Sequence, residues 1–176
     1  MRVIAGRLGG RNFASPRGHR THPMSDKIRG ALFNALGDIN GLGVLDAFAG
    51  SGALSYEAIS RGAASVLAID SDQSAQQAIA ANIKLLGLAS RIKLIKASAA
   101  AWLSTTDEQF DVVVCDPPYD DPQLPLLKRL AERTKPGGLA VFSLPPSVKL
   151  ELPETYELLA TKNYGDAQTS FYRRRA

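Results

Sequence analysis

Residues 112–119 read Val-Val-Val-Cys-Asp-Pro-Pro-Tyr, and they narrow the choice of fold more than any other stretch of the chain. An apolar run this continuous is a strand covered on both faces, which belongs in a parallel sheet. Pro117 and Pro118 carry no N–H for the ladder, so the strand has to stop beside Asp116. Its end then opens at the rim of the sheet, where open α/β folds place their ligands. There a carboxylate from Asp116, a backbone carbonyl aimed by the proline rings and the flat ring of Tyr119 suit a planar group with an exocyclic NH2. The plainer reading is a strand-ending turn, since Asp-Pro and Pro-Pro mark turns in many chains.

A second apolar strand, Val44-Leu45-Asp46-Ala47-Phe48, runs into Ala49-Gly50-Ser51-Gly52 and then into a helix with Leu54, Ala58 and Ile59 on one side. Gly50 and Gly52 permit positive φ and close approach of a ligand to the backbone. Dinucleotide-binding loops follow Gly-x-Gly-x-x-Gly, but Ser55 takes the third glycine's place here. Asp46 would also repel a diphosphate, whereas it suits a ligand with a free α-ammonium group. A third apolar run, Val66–Ile69, ends at Asp70, twenty residues after Gly50, where an acidic side chain accepts hydrogen bonds from ribose hydroxyls. A nucleoside with an amino-acid tail and no phosphate is S-adenosylmethionine.

The rest of the chain alternates in the same way. Strands are expected at 43–48, 65–70, 92–96, 111–116, 138–144, 156–163 and 168–174. Helices are expected from Ser25, a plausible N-cap, and at 52–61, 73–86, 99–103 and 123–134. Gly87 should end the 73–86 helix, and Lys135-Pro136-Gly137-Gly138 should form a turn before the fifth strand. Alternation of this type means a doubly wound, mostly parallel α/β sheet. Arg2–Ile4 and Arg11–Ala14 should pair as a small hairpin around Gly9-Gly10. Trp102 and Phe110 read as core, Asp120 and Asp121 as a solvated loop, and Glu57 as a surface ion-pair partner.

Asp46-x-Phe48-x-Gly50-x-Gly52, Asp70 and Asp116-Pro117-Pro118-Tyr119, in this order, resemble the class I S-adenosylmethionine-dependent amino-methyltransferases. The N-terminal block sharpens the likeness. Met1 to Arg11, with Gly6, Gly9 and Gly10, followed by His22-Pro23-Met24-Ser25-Asp26-Lys27-Ile28-Arg29-Gly30-Ala31-Leu32-Phe33-Asn34, is similar to the bacterial 16S ribosomal RNA guanine-N2 methyltransferases that modify position 966. His22, Met24, Tyr119 and Ser98 differ from the residues usual in that family.

The resemblance implies a seven-stranded Rossmann-like methyltransferase sheet with an antiparallel edge strand. It implies cofactor contacts from Asp46, Phe48, Gly50, Ser51, Gly52, Asp70, Ser71, Ser98 and Ala99, and catalysis by Asp116, Pro117, Pro118 and Tyr119. The expected division is a basic RNA-binding extension over 1–24 and a methyltransferase domain over 25–176. The substrate would be 16S ribosomal RNA, free or in a 30S assembly intermediate, met by a monomer in the cytoplasm.

Charge supports a nucleic-acid partner. Residues 1–29 hold Arg2, Arg7, Arg11, Arg17, Arg20, Lys27 and Arg29 against Asp26 alone, a net +6, while the remainder carries −2. A segment this basic and rich in glycine and proline reads as a footprint for phosphate backbone. Arg173-Arg174-Arg175 could be a second basic patch or a solvated tail. A lone cysteine, Cys115, and two histidines point to neither a disulfide framework nor a zinc site, so no metal is expected. No run approaches the roughly 20 apolar residues of a membrane span. Three other functions suit the same motifs: a DNA adenine-N6 methyltransferase, a protein glutamine amide methyltransferase, and an RNA-binding module without catalysis.

Overall fold

The computed structural model describes residues 1–18 and 23–176. Arg20 and His22 therefore lie outside the described residues. One seven-stranded sheet is built from β1 (Gly43–Asp46), β2 (Ser65–Asp70), β3 (Ile92–Lys96), β4 (Phe110–Cys115), β5 (Thr134–Leu144), β6 (Tyr156–Tyr164) and β7 (Ala167–Arg174). Their order in space is β3-β2-β1-β4-β5-β7-β6. β1 to β5 run parallel, and β7 inserts antiparallel between β5 and the edge strand β6. The chain leaves β1 toward β2 and returns on its other side as β4. This reversal makes the β1–β4 rim the switch point at which such sheets bind ligands.

Helices α1 (Asp26–Leu36), α2 (Ala53–Ser60) and α3 (Gln73–Leu86) cover one face of the sheet. Helices α4 (Ala99–Leu103) and α5 (Leu124–Ala131) cover the other. Strict alternation along the strands sorts the core into two layers. Val44, Val66, Val112, Val114 and Val141 face α1 to α3, and Leu45, Leu67, Val113, Cys115 and Phe142 face α4 and α5. Trp102 and Phe110 sit 6.2 Å apart in the second layer, as core. Local signals act where expected: the Ser25 side chain accepts from the Ile28 N–H, and Gly87 ends α3 in the left-handed region at φ 70°.

Three local features differ from the sequence reading. β5 begins at Thr134, because Lys135 to Gly138 form a bulge inside the strand instead of a turn before it. A Cβ on Gly138 would come within 2.6 Å of the Asp111 carbonyl oxygen, so only glycine fits that bulge. The two N-terminal arms meet through a single bridge, Arg2 with Asn12, and do not form extended strands. Helix α2 has no solvent face, since every residue from Ala53 to Ser60 is buried.

The N-terminal segment accounts for the burial of α2. Val3, Leu8 and Phe13 enter the first core layer, and Phe13 packs edge-on to Tyr56 at 4.8 Å. The Glu57 carboxylate accepts the N–H groups of Ile4 (2.8 Å) and Ala5 (3.1 Å), the Ser60 Oγ accepts that of Leu8, and Asn82 on α3 clamps both backbone groups of Ala14. Glu57 is thus no surface partner. It is fully buried between Arg61 (2.7 Å) and Arg29 (3.8 Å), and it supplies acceptors to backbone that α2 would otherwise leave unpaired.

Candidate active site

The rim is assembled from the ends of adjacent parallel strands. Asp46 closes β1, Asp70 closes β2, and Asp116 follows β4. Asp46 is 1% exposed and lies on the face that carries α2. Its Oδ2 accepts from the Ser55 hydroxyl at 2.7 Å, while its Oδ1 is buried with no partner among the described residues. Burial, aided by the charge of Asp70, pushes the Asp46 carboxyl up to about 6 against the pull of the Ser55 bond. A buried carboxylate oxygen left without a donor is costly. A primary ammonium group is the natural partner for it.

The glycine turn lies beside this orphan oxygen. Gly50 and Gly52 both have positive φ, 54° and 81°. The Asp70 Oδ2 accepts the Gly50 N–H at 2.7 Å and its Oδ1 accepts that of Asp72 at 2.8 Å, which ties the turn to the end of β2. Burial raises the Asp70 carboxyl above its ordinary range. Each of its oxygens has a second lone pair for a ribose hydroxyl. Gly52 serves packing more than ligand approach, because an added Cβ would run into the Tyr56 hydroxyl, which donates to the Ser51 carbonyl.

The other expected cofactor contacts spread over both sides of the rim. Phe48 is half-buried and Ala99 buried, both in the layer facing α4 and α5. The Ser51 side chain is buried within the turn, and Ser71 is exposed just past β2. Ser98 is exposed after β3, where it caps α4 by accepting from the Ala101 N–H.

Asp116 stands one strand over from Asp46. Burial and the nearby Asp46 charge lift its carboxyl to about 7, opposed by the Ser143 hydroxyl. Pro117 is buried and Pro118 exposed, so the diproline points one ring inward and one outward. The Tyr119 ring is 37% exposed, with its hydroxyl 2.9 Å from the Ser143 Oγ. Burial raises the Tyr119 phenol too. The rim therefore lines up the Asp70, Asp46 and Asp116 carboxylates at the ends of β2, β1 and β4, with the Tyr119 ring beyond, groups that could accept ribose hydroxyls, an ammonium and an amine and stack on a planar ring.

Sequence reading missed two residues here. Ser55 was visible only as a missing third glycine, yet it is the partner of Asp46. Ser143 was visible only as one polar residue in the apolar run Val141-Phe142-Ser143-Leu144.

Among the described residues, the basic side chains do not form one cluster. Arg29 is fully buried, bonded to the carbonyl of Arg2 (2.6 Å) and to Asp26 (3.0 Å), with Glu57 beside it, so it cannot touch a phosphate and is a structural residue. Arg2 is exposed but paired with Asp26 at 3.1 Å. The Arg7 N–H bonds the Ser60 carbonyl and the Arg11 guanidinium reaches that of Leu85, so both lie at the C-terminal ends of α2 and α3, away from the rim. Arg17 is on the rim side, its carbonyl accepting from Ser74 in the first turn of α3, and Lys27 is exposed in the first turn of α1. Among the described residues no three His, Cys, Asp or Glu side chains gather as a metal site, and no helix is long and apolar enough to cross a membrane.

A seven-stranded sheet in this order, with acidic residues closing β1 and β2 around a glycine turn, defines a class I S-adenosylmethionine-dependent methyltransferase. The family described as "Conserved hypothetical protein 95" matches residues 1–173, and the chain belongs to that family. A Bacillus subtilis protein named "Putative rRNA methyltransferase YlbH" is 33% identical, with 99% of this chain and 100% of that protein covered. "Ribosomal RNA small subunit methyltransferase D" of Haemophilus influenzae is 31% identical, covering 98% of this chain and 93% of its own. Among solved structures, "Putative methyltransferase yhhF" of Escherichia coli is 30% identical with a TM-score of 0.89, covering 100% of this chain and 98% of that one.

Proposed function

We propose that this protein methylates the exocyclic N2 of a loop guanine in 16S ribosomal RNA during assembly of the small subunit. The names of its relatives support ribosomal RNA as the substrate. The observation that carries the choice of atom is the Asp116 carboxylate just past the end of β4, the strand that pairs with β1 beside Asp46, with the Tyr119 ring three residues on. S-adenosylmethionine, when bound, supplies an electrophilic methyl group on a sulfonium whose departure as a neutral thioether is intrinsically favourable.

The chain's own residues do the positioning. The orphan Oδ1 of Asp46 would accept the α-ammonium group and Asp70 the ribose hydroxyls. In this reading Asp116 would accept from guanine N1–H and N2–H, and the Pro117 carbonyl would accept the second N2 hydrogen. Holding both hydrogens favours a pyramidal nitrogen with its lone pair aimed at the methyl group. That nitrogen is otherwise a poor nucleophile, since its lone pair is delocalised into the ring. Placement supplies most of the rate, and the fixed acceptors stabilise the positive charge growing on nitrogen. The proton leaves after transfer, so no separate base is required.

Tyr119 stacks on the base, which has to be unstacked to reach the rim. Unstacking is least costly in a loop. The test is methyl transfer to a hairpin RNA carrying the target guanine in its loop and to the same guanine within a perfect duplex. Methylation of the loop guanine alone is expected, and equal methylation of both would contradict the proposal.

A further inference from the structure

We infer that Ser143 is a positioning residue for methyl transfer, its hydroxyl tying the Tyr119 ring to the Asp116 carboxylate so that both meet the nucleobase in fixed geometry. The inference rests on the function proposed above and concerns the same rim. Ser143 is fully buried near the end of β5, between Phe142 and Leu144, which are apolar and buried as well. A hydroxyl at such a place costs stability unless it is bonded. Among the described residues its side-chain bond is made to Tyr119 and to no backbone: the Tyr119 hydroxyl lies 2.9 Å from the Ser143 Oγ.

Register explains why these groups meet. Asp46 pairs with Val114, Val114 with Val141, and Ser143 with Thr169. Val44, Val112, Val114, Val141 and Phe171 all face α1 to α3, so period-two alternation puts Asp46, Asp116, Ser143 and Thr169 on that same face. They form a polar row across the rim, from the cofactor side outward through β4, β5 and β7. The buried Thr169 hydroxyl has no partner among the described residues and closes the row behind Ser143.

The direction of the bonding follows from the groups themselves. Either hydroxyl of the Ser143–Tyr119 pair can donate, but an ionised Asp116 can only accept, so a Ser143 O–H turned toward it, where it lowers that carboxyl, leaves the Ser143 oxygen to accept from the Tyr119 O–H. Tyr119 belongs to the short connection from β4 to α5, and among the described residues this hydroxyl contact is the one polar tether of its ring. Without the tether the ring is free to leave the stacking position. The charged or titratable groups around Asp116 are Asp46 from β1, Tyr119, and the preceding Cys115 at the end of β4, whose side chain lies on the opposite face of the sheet. Asp166, in the β6–β7 turn, acts on Tyr119.

The test compares wild type with Ser143→Ala, Ser143→Thr, Tyr119→Phe and the Ser143→Ala/Tyr119→Phe double variant, on the RNA that wild type methylates. Loss of one such hydrogen bond is worth about tenfold. Ser143→Ala and Tyr119→Phe should each lower kcat by roughly that factor with unchanged KM for S-adenosylmethionine, Ser143→Thr should retain most activity, and the double variant should be no worse than the singles. Removing a donor from Asp116 disfavours its ionised form, so Ser143→Ala should also move the acid limb of the pH–kcat profile to higher pH. Wild-type kcat with an unmoved acid limb in Ser143→Ala, or losses that multiply in the double variant, would overturn the inference. Tyr119→Phe changes a partly exposed residue, so it keeps the test open even if Ser143→Ala does not fold. Failure of wild type to methylate RNA would count against the proposed function, whereas active wild type with an indifferent Ser143→Ala would count against this inference alone.

Discussion

Asp46 and Asp116 carry opposite consequences for stability and for activity. Both are raised from an ordinary carboxylate, to about 6 and about 7, first because they are buried. Between the unfolded value near 4 and these values the native chain binds more protons than the unfolded chain, so their contribution to stability falls as pH rises through that window. Thermal unfolding of the free protein should therefore occur at higher temperature near pH 5.5 than near pH 8, and Asp46→Asn should reduce the difference. Under the proposed function activity runs the other way, because ammonium binding would need ionised Asp46 and amine binding would need ionised Asp116. Calorimetry should show S-adenosylmethionine binding weakening as pH falls through about 6; affinity that does not change with pH would remove Asp46 from the cofactor site. Gly52 is a poor probe of that site, because any side chain there meets Tyr56 before it meets a ligand.

Among the elements, α2 depends most on the rest of the chain. It is eight residues long, begins at Gly52 with no side-chain cap, and is enclosed by the sheet on one side and the N-terminal segment on the other. The segment is held by Glu57, whose charge is shared between Arg29 and Arg61. Glu57→Gln leaves the fully buried Arg29 with Asp26 as its remaining carboxylate, so the loss is expected to stay at or below the about 3–5 kcal/mol of a broken buried pair. Denaturant unfolding would measure the loss, and faster amide exchange at Ile4 and Ala5 would show that the segment had loosened. A fold-wide loss without local loosening would mean that Glu57 does not fasten the segment. This network was not legible in the sequence. Helices α3 and α4 and strand β3 have the bounds that periodicity and caps predicted, because local signals fix them. Asp46, Asp70 and Asp116 were legible because strand ends and loop motifs sit together in sequence. Glu57, Arg29 and Ser143 depend on long-range packing and register: whether a charge on a helix faces water is decided by a segment more than fifty residues away.

Over the whole molecule, the net +6 of residues 1–29 does not act as a single surface. Arg29 is internal, Arg2 is paired, and Arg7 and Arg11 sit at the far ends of α2 and α3. Helix α3 alone spans about 20 Å at 1.5 Å per residue, so on the proposed function Arg11 would reach only RNA that wraps well beyond the target base. Arg173 pairs with Leu139 and Arg174 bonds the Glu132 and Thr134 carbonyls, which puts the C-terminal arginines at the opposite end of the sheet from Asp116. Arg17→Ala should thus weaken RNA binding more than Arg11→Ala and make the logarithmic salt slope shallower by about 0.7–0.9, while replacing Arg173 and Arg175 should change little. Filter binding across a salt series would decide this, and equal losses at Arg11 and Arg17 would mean that RNA follows the whole N-terminal segment. Asp116 as acceptor of the reacting amine is tested by supplying isotope-labelled S-adenosylmethionine with 16S RNA and with partly assembled 30S particles, then mapping the label. N2-methylguanine at one loop position with wild type, and its loss by roughly 100-fold or more in an Asp116→Ala protein that still binds S-adenosylmethionine, is the expected result. Label on another atom or base, or wild-type turnover in Asp116→Ala, would show that the reacting amine does not sit at Asp116.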